Sequence, residues 1–239
     1  MTVRLREQAD RLKKDKTYLA NSIADISHQI RTPLTSIHLI ANFLSEDNLN
    51  ENRRKLLIKE LLQLLARIDW QINTLLKISK LDAGVVKLKK ETVNVAELIR
   101  KSTESIAIPM DLRDQKLSVF ASGEESFIGD SSWTREAIEN ILKNCMEHTP
   151  AGGQLTIRVE NTLVFTEIEI SDNGEGIDPK DLPHIFERFY KGKHSDSNSV
   201  GIGLALARMI ITAQNGTIRA GQSPDGGARF QIRFYKSII

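Results

Sequence analysis

From Leu5 to Leu75 the apolar residues recur at alternating intervals of four and three, and past Gly84 they no longer do. Leu5, Ala9, Leu12, Lys16, Leu19, Ile23, Ile26 and Ile30 form one seam, apolar except at Lys16. This is the coiled-coil period, which commits the segment to helix. Pro33 removes one backbone donor, but Leu34, Ile37, Ile40, Ala41 and Leu44 continue the apolar face, so a kinked helix is expected rather than an ended one. The polar, asparagine-rich stretch Ser45 to Asn52 reads as a turn. Arg54, Ile58, Leu61, Leu65, Ile68, Ile72 and Leu75 make a second seam, closed by Asp82-Ala83-Gly84. With Leu57, Leu62, Leu64 and Leu76 adding a further strip, two helices leave more apolar surface than they can cover, and the expectation is a four-helix bundle built by two copies of the hairpin.

Beyond residue 88 the period changes. Val95 to Ile108 and Trp133 to His148 are helical in pattern, and Leu117 to Ala121 is a short strand. Leu155, Ile157 and Val159 pair as a hairpin with Phe165, Ile168 and Ile170 across Glu160 to Leu163. A short helix from Pro179 to Phe189, a mobile polar stretch from Lys191 to Ser199, a helix from Leu204 to Gln214 and a closing hairpin over Pro224 to Gly227 follow. Segregated helices and mostly antiparallel strands predict a two-layer α/β sandwich. The chain therefore divides into a helical hairpin at residues 1–88 and an α/β domain at residues 89–239. The first carries 15 basic and 10 acidic side chains, the second 18 and 21, and a net charge of +2 offers no phosphate-neutralising surface for nucleic acid. One cysteine, Cys145, excludes a disulfide framework and a multi-cysteine zinc site.

Four short motifs carry chemistry. His28 stands in Ser27-His28-Gln29-Ile30-Arg31-Thr32-Pro33-Leu34 beside the seam but outside its register, with Thr32 one turn further on the same face. That pairs an imidazole nucleophile with a hydroxyl able to hold water, where a lone helical histidine is otherwise a surface residue. Asn140 and Asn144 put two carboxamides one turn apart, either as hard oxygen ligands for Mg²⁺ or as solvated side chains. Asp172-Asn173-Gly174-Glu175-Gly176-Ile177 joins strand to helix; it is an ordinary turn sequence, or a glycine-lined approach to a planar ligand with Asp172 as acceptor. Gly201-Ile202-Gly203-Leu204 opens a helix, where free N–H groups favour phosphate.

In this order the motifs resemble the H, N, G1, F and G2 boxes of sensor histidine kinases, with Phe186-Glu187-Arg188-Phe189-Tyr190 as the F box. The resemblance covers nearly the whole chain. It implies a dimerisation and histidine-phosphotransfer hairpin followed by an ATP-binding domain of the Bergerat (GHKL) type. His28 is then the phosphoacceptor, flanked by Gln29 and Thr32, and Asn144 with Asn140 holds the Mg²⁺ that bridges the ATP phosphates. Asp172 accepts from the adenine amino group, Gly174, Gly176 and Ile177 line the base, and His148 supplies stacking. Phe186 and Tyr190 belong to the F box, Arg188 and Lys191 face the phosphates, and Gly201, Gly203 and Leu204 bind phosphate at the lid end. The implied partners are a second copy through residues 1–88 and the receiver domain of a response regulator, with a membrane tie only through an N-terminal region outside this chain. The chain is then the cytoplasmic portion of a receptor.

Two departures qualify this. Gln29 stands where the family usually has a carboxylate, which makes a phosphatase-dominant relative with weak autokinase activity the main alternative to an autophosphorylating kinase, and Glu147-His148 replaces the usual Lys-Tyr. A GHKL ATPase with a coiled-coil adaptor is the remaining alternative, but such ATPases carry a water-activating glutamate where this chain has Asn140.

Overall fold

The structure, a computed structural model, describes residues 24, 26, 27, 29–46, 49–193 and 199–236. His28 and most of the first seam lie outside the described residues, as do residues 194–198 of the polar stretch. The chain divides into two compact units, Met1–Asn73 and Thr74–Ile239. The division falls inside a helix: α2 ends at Asp82 as its stop signal predicts, but its last nine residues belong to the second unit.

In the first unit, α1 (residues 29–44) runs through Pro33 without a break. The chain turns where Ser45 and Glu46 donate to the carbonyls of Asn42 and Phe43 at 3.1 and 3.2 Å. α2 (Glu51–Asp82) then opens with the Asn50 side chain accepting from the Asn52 N–H at 2.8 Å. The second seam splits in two. Leu61 and Ile68 are half-buried, whereas Ile58, Leu65 and Ile72 are exposed together with Leu62. At 100° per residue these four fall within an arc of about 80°, one continuous apolar face of a single hairpin.

The second unit is the expected two-layer sandwich. Among the described residues seven strands, β1 (Glu91–Asn94), β2 (Lys116–Phe120), β3 (Ser126–Gly129), β4 (Gln154–Asn161), β5 (Phe165–Asp172), β6 (Gly216–Gln222) and β7 (Ala228–Tyr235), form two sheets. The large one has the order β2-β4-β5-β7-β6, antiparallel except for the parallel pair β2–β4, and β1 pairs with β3 in the small one. α3 (Val95–Asp111), α4 (Ser131–His148) and α5 (Gly203–Ala213) supply the helices. Leu155, Ile157, Ile168, Ile170, Phe230 and Ile232 of the sheet are fully buried, as are Ile138, Ile141 and Leu142 of α4 and Leu206, Ile210 and Ile211 of α5. The alternation on β5 has a consequence for chemistry: Asp172 has the parity of Ile168 and Ile170, so the strand's last residue carries a carboxylate onto the buried face.

The structure corrects three expectations. Pro179 to Phe189 forms successive turns, not a helix: Pro183 removes a donor in mid-segment, and Phe189 adopts a left-handed backbone at φ 63°. α3 continues past Ile108 through Pro109 to Asp111, because Met110 still has core to fill. β1 and β3 were not apparent from periodicity, since a four-residue strand paired to a distant one has too little alternation to register.

Candidate functional site

Asp172 anchors the site. It is 3% exposed, and its Oδ1 accepts from the backbone N–H groups of Gly174 at 2.9 Å and Ala228 at 3.1 Å. Its Oδ2 is buried without a hydrogen-bond partner at ordinary geometry. A buried carboxylate oxygen with nothing to accept from costs free energy, so the arrangement suits a donor arriving from outside. Beside it on α4 is the fully buried Cys145; burial first, and then the Asp172 carboxylate, push its thiol well up, and it stays neutral.

Glycines make room around that carboxylate. A Cβ on Gly227 would fall 2.1 Å from the Asp172 carbonyl oxygen and 2.3 Å from its Oδ1, and one on Gly174 would fall 2.2 Å from the His148 carbonyl oxygen. Gly176 has φ 75° and packs on the Gly226 carbonyl, and Ile177 lies partly buried on the core. His148, half-buried, is the last residue of α4, so the Gly174 contact ties the Asp172 loop to that helix end.

Upstream on α4, Asn140 uses its Nδ2 to donate to the Glu136 carbonyl at 2.8 Å, which directs its oxygen outward; a Cβ on Gly203 would lie 2.8 Å from that oxygen. The second asparagine, Asn144, is half-buried, and its side chain makes no hydrogen bond among the described residues. Gly203 opens α5, whose N-cap Ile202 offers no side-chain acceptor to the first-turn N–H groups. The N and G2 motifs therefore meet in space, where the Asn140 carboxamide oxygen faces the uncapped start of α5, with Asn144 one turn further along α4. Among the described residues no cluster of three or more His, Cys, Asp or Glu could hold a metal, so a divalent ion here would rest on the asparagine oxygens and on a ligand's phosphates.

The F segment is fastened at both ends. Phe186 meets Phe230 edge-on at 6.4 Å, and Phe189 donates its N–H to the Gly201 carbonyl at 2.8 Å. Gly201 has φ 73°, and a Cβ on it would fall 2.3 Å from the Tyr190 carbonyl oxygen, so a side chain there would break the contact. The Tyr190 hydroxyl donates to Asp181 at 2.7 Å, which raises the phenol's pKa, and Leu204 packs on the core. Lys191 is exposed. Arg188 turns to Asp82, 2.6 Å away, and to the Met209 sulfur at 3.3 Å. In the first unit, Gln29 is half-buried and Thr32 exposed on α1.

Two contributors escaped the sequence reading. Gly227 was legible only as a hairpin-turn glycine in Pro-Asp-Gly-Gly. Gln115 gives no local signal at all, yet its Nε2 donates to the carbonyls of Met146 at 3.1 Å and Thr149 at 2.7 Å, closing the C-terminal end of α4 beside His148.

Residues 18–84 match the model of the His Kinase A (phospho-acceptor) domain, and residues 129–238 match that of the histidine kinase-, DNA gyrase B- and HSP90-like ATPases. The chain belongs to the sensor histidine kinase family. It is 31% identical over 226 residues to sensor protein SphS of Synechococcus elongatus, covering 88% of this chain and 53% of that protein. It is 28% identical over 215 residues to heme sensor protein HssS of Staphylococcus saprophyticus, covering 90% of this chain and 46% of that protein. The Acinetobacter baumannii histidine kinase AdeS shares the fold at a TM-score of 0.74 and 20% identity, covering 88% of this chain and 98% of that one. This histidine kinase chain spans about half the length of the curated relatives it matches. No helix among the described residues is long and apolar enough to cross a membrane.

Proposed function

We propose that the chain is the phosphotransfer and ATP-binding part of a homodimeric sensor histidine kinase, in which His28 takes the γ-phosphoryl group of Mg-ATP and passes it to an aspartate of a response regulator's receiver domain. The observation that carries the ATP reading is the buried, unpartnered Oδ2 of Asp172 in its glycine cradle, suited to the exocyclic amine of adenine. His148 and Ile177 flank the base, Gly201, Gly203 and Leu204 hold phosphate at the start of α5, and Arg188 and Lys191 add positive charge. Mg²⁺ held by Asn144 and Asn140 would neutralise phosphate charge. One imidazole nitrogen of His28 forms the N–P bond as the bond to the ADP oxygen breaks, a reaction that needs positioning and charge compensation more than covalent help. The relatives are named as sensors and are about twice as long, so in this reading these residues form the cytoplasmic portion of a membrane receptor.

Gln29 favours a second activity. It can accept a hydrogen bond from the imidazole but can neither take a proton nor compensate growing charge, which weakens the kinase step and leaves dephosphorylation of the regulator, through water held by Thr32, comparatively strong. Incubation with labelled ATP, with and without a phosphorylated response regulator, tests both. Thr32→Ala is expected to spare phosphorylation of His28 and to slow regulator dephosphorylation at least about tenfold, a modest share of what a positioned catalytic group supplies. Equal loss of both activities in a folded variant would end the division of labour.

An exposed apolar face on α2 supports the dimer in the same reading. Ile58, Leu62, Leu65 and Ile72 are exposed together on one face of α2, the kind of contiguous apolar patch that marks an interface. Light scattering at micromolar concentration is expected to return twice the chain mass of 26.9 kDa. Ile58→Glu with Leu65→Glu should return the monomer.

A further inference from the structure

The last residues of α2 are built into the ATP-binding unit. Ile78 is 3% exposed within its core cluster, with Leu75 and Leu81 packed alongside. Lys77 Nζ is 2.5 Å from Glu136 Oε1, and the Glu136 carbonyl is the one that holds Asn140. Asp82, the final residue of α2, meets Arg188 through both carboxylate oxygens at 2.6 and 2.7 Å.

That pair has a physical logic on each side. A carboxylate at a helix C-terminus faces the negative end of the dipole and is unfavourable there unless a cation compensates it. Arg188 is that cation. Its backbone neighbour Phe189 is tied to Gly201, near the start of α5, while its guanidinium lies along α5 beside Met209. Met209 is six residues into the helix, about 9 Å along the axis from its first residue, Gly203. The arm is therefore anchored beside the uncapped end of α5 and swung away from it.

Resting on the reading of Arg188 as a phosphate-facing group, we propose that Asp82 and the ATP phosphates compete for Arg188, so that the seated end of α2 restrains nucleotide binding and bound nucleotide loosens that end. One guanidinium cannot neutralise both anions. By linkage, whatever the Asp82 contact subtracts from ATP affinity, ATP subtracts from the seating of α2.

Two measurements on the full chain test this. Asp82→Ala, at a half-exposed side chain that leaves the core untouched, is expected to bind a fluorescent ATP analogue about 3–10-fold more tightly, the range of a modest coupling between sites. Affinity that is equal or weaker overturns the competition. In the unaltered protein, saturating ATP is expected to speed amide exchange over residues 75–82, and unchanged or slower exchange overturns it equally. Absence of binding in both proteins would instead remove the nucleotide reading on which the proposal rests, and the proposal with it.

Discussion

Asp172→Asn is expected to weaken ATP binding by about tenfold to a hundredfold while leaving the fold intact. The carboxylate serves two sides at once: Oδ1 receives the N–H groups of Gly174 and Ala228, and Oδ2 is buried with no donor of its own. An amide cannot serve both. If its oxygen keeps the place of Oδ1, its NH₂ confronts the incoming adenine amine donor to donor; if it flips, the NH₂ confronts the two backbone N–H groups and the loop is disturbed. A mispaired buried polar contact costs about 1–3 kcal/mol, and each 1.4 kcal/mol is a factor of ten. Asp172→Ala would be a poorer probe, because it strips both N–H groups of their acceptor and mixes a folding defect with a binding one. Titration calorimetry on the Asn variant, with its melting temperature as control, measures the effect. Unchanged affinity would put the adenine elsewhere.

The helical hairpin and the order of the α/β elements were legible because their signals are local. A seam of fours and threes, alternation along β4 and β5, and a Pro-Asp-Gly-Gly turn each state their structure within a dozen residues. Asp172 was legible as an acceptor at a strand end, but its partner Gly227 was not. The two are 55 residues apart, and only the antiparallel pairing of β5 with β7 brings the Gly227 backbone against the carboxylate. Gln115 was hidden for the same reason, its three acceptors lying more than 30 residues away. The F segment misled differently. Its apolar spacing suits a helix, and Pro183 together with the Phe189–Gly201 tie overrides that spacing. Arg188 shows the limit from the other side: the motif suggests a phosphate-facing side chain, and the contact with Asp82, more than 100 residues earlier, has no local signal in the sequence.

His28→Ala is expected to bring phosphohistidine formation below detection while ATP binding stays within about twofold. The box around it holds no substitute nitrogen nucleophile, since Gln29 is an amide and Thr32 a hydroxyl. His38, exposed on α1, is the next imidazole in the sequence, but it stands ten residues beyond His28 and outside the box. His148 and His184 lie in the ATP-binding unit, so phosphorylation there would be a different reaction from transfer to the hairpin. The neutral Gln29 sharpens the expectation: with no adjacent carboxylate to take a proton or stabilise charge, the imidazole itself supplies whatever reactivity the box has. The measurement is acid-labile, base-stable label after a single turnover with labelled ATP, alongside nucleotide affinity for the same preparation. Label persisting in His28→Ala would move the acceptor to another histidine, and peptide mapping would identify it; label lost together with ATP affinity would mean that the substitution acts on nucleotide binding, and the phosphorylated residue mapped in the unaltered protein then decides whether His28 is the acceptor.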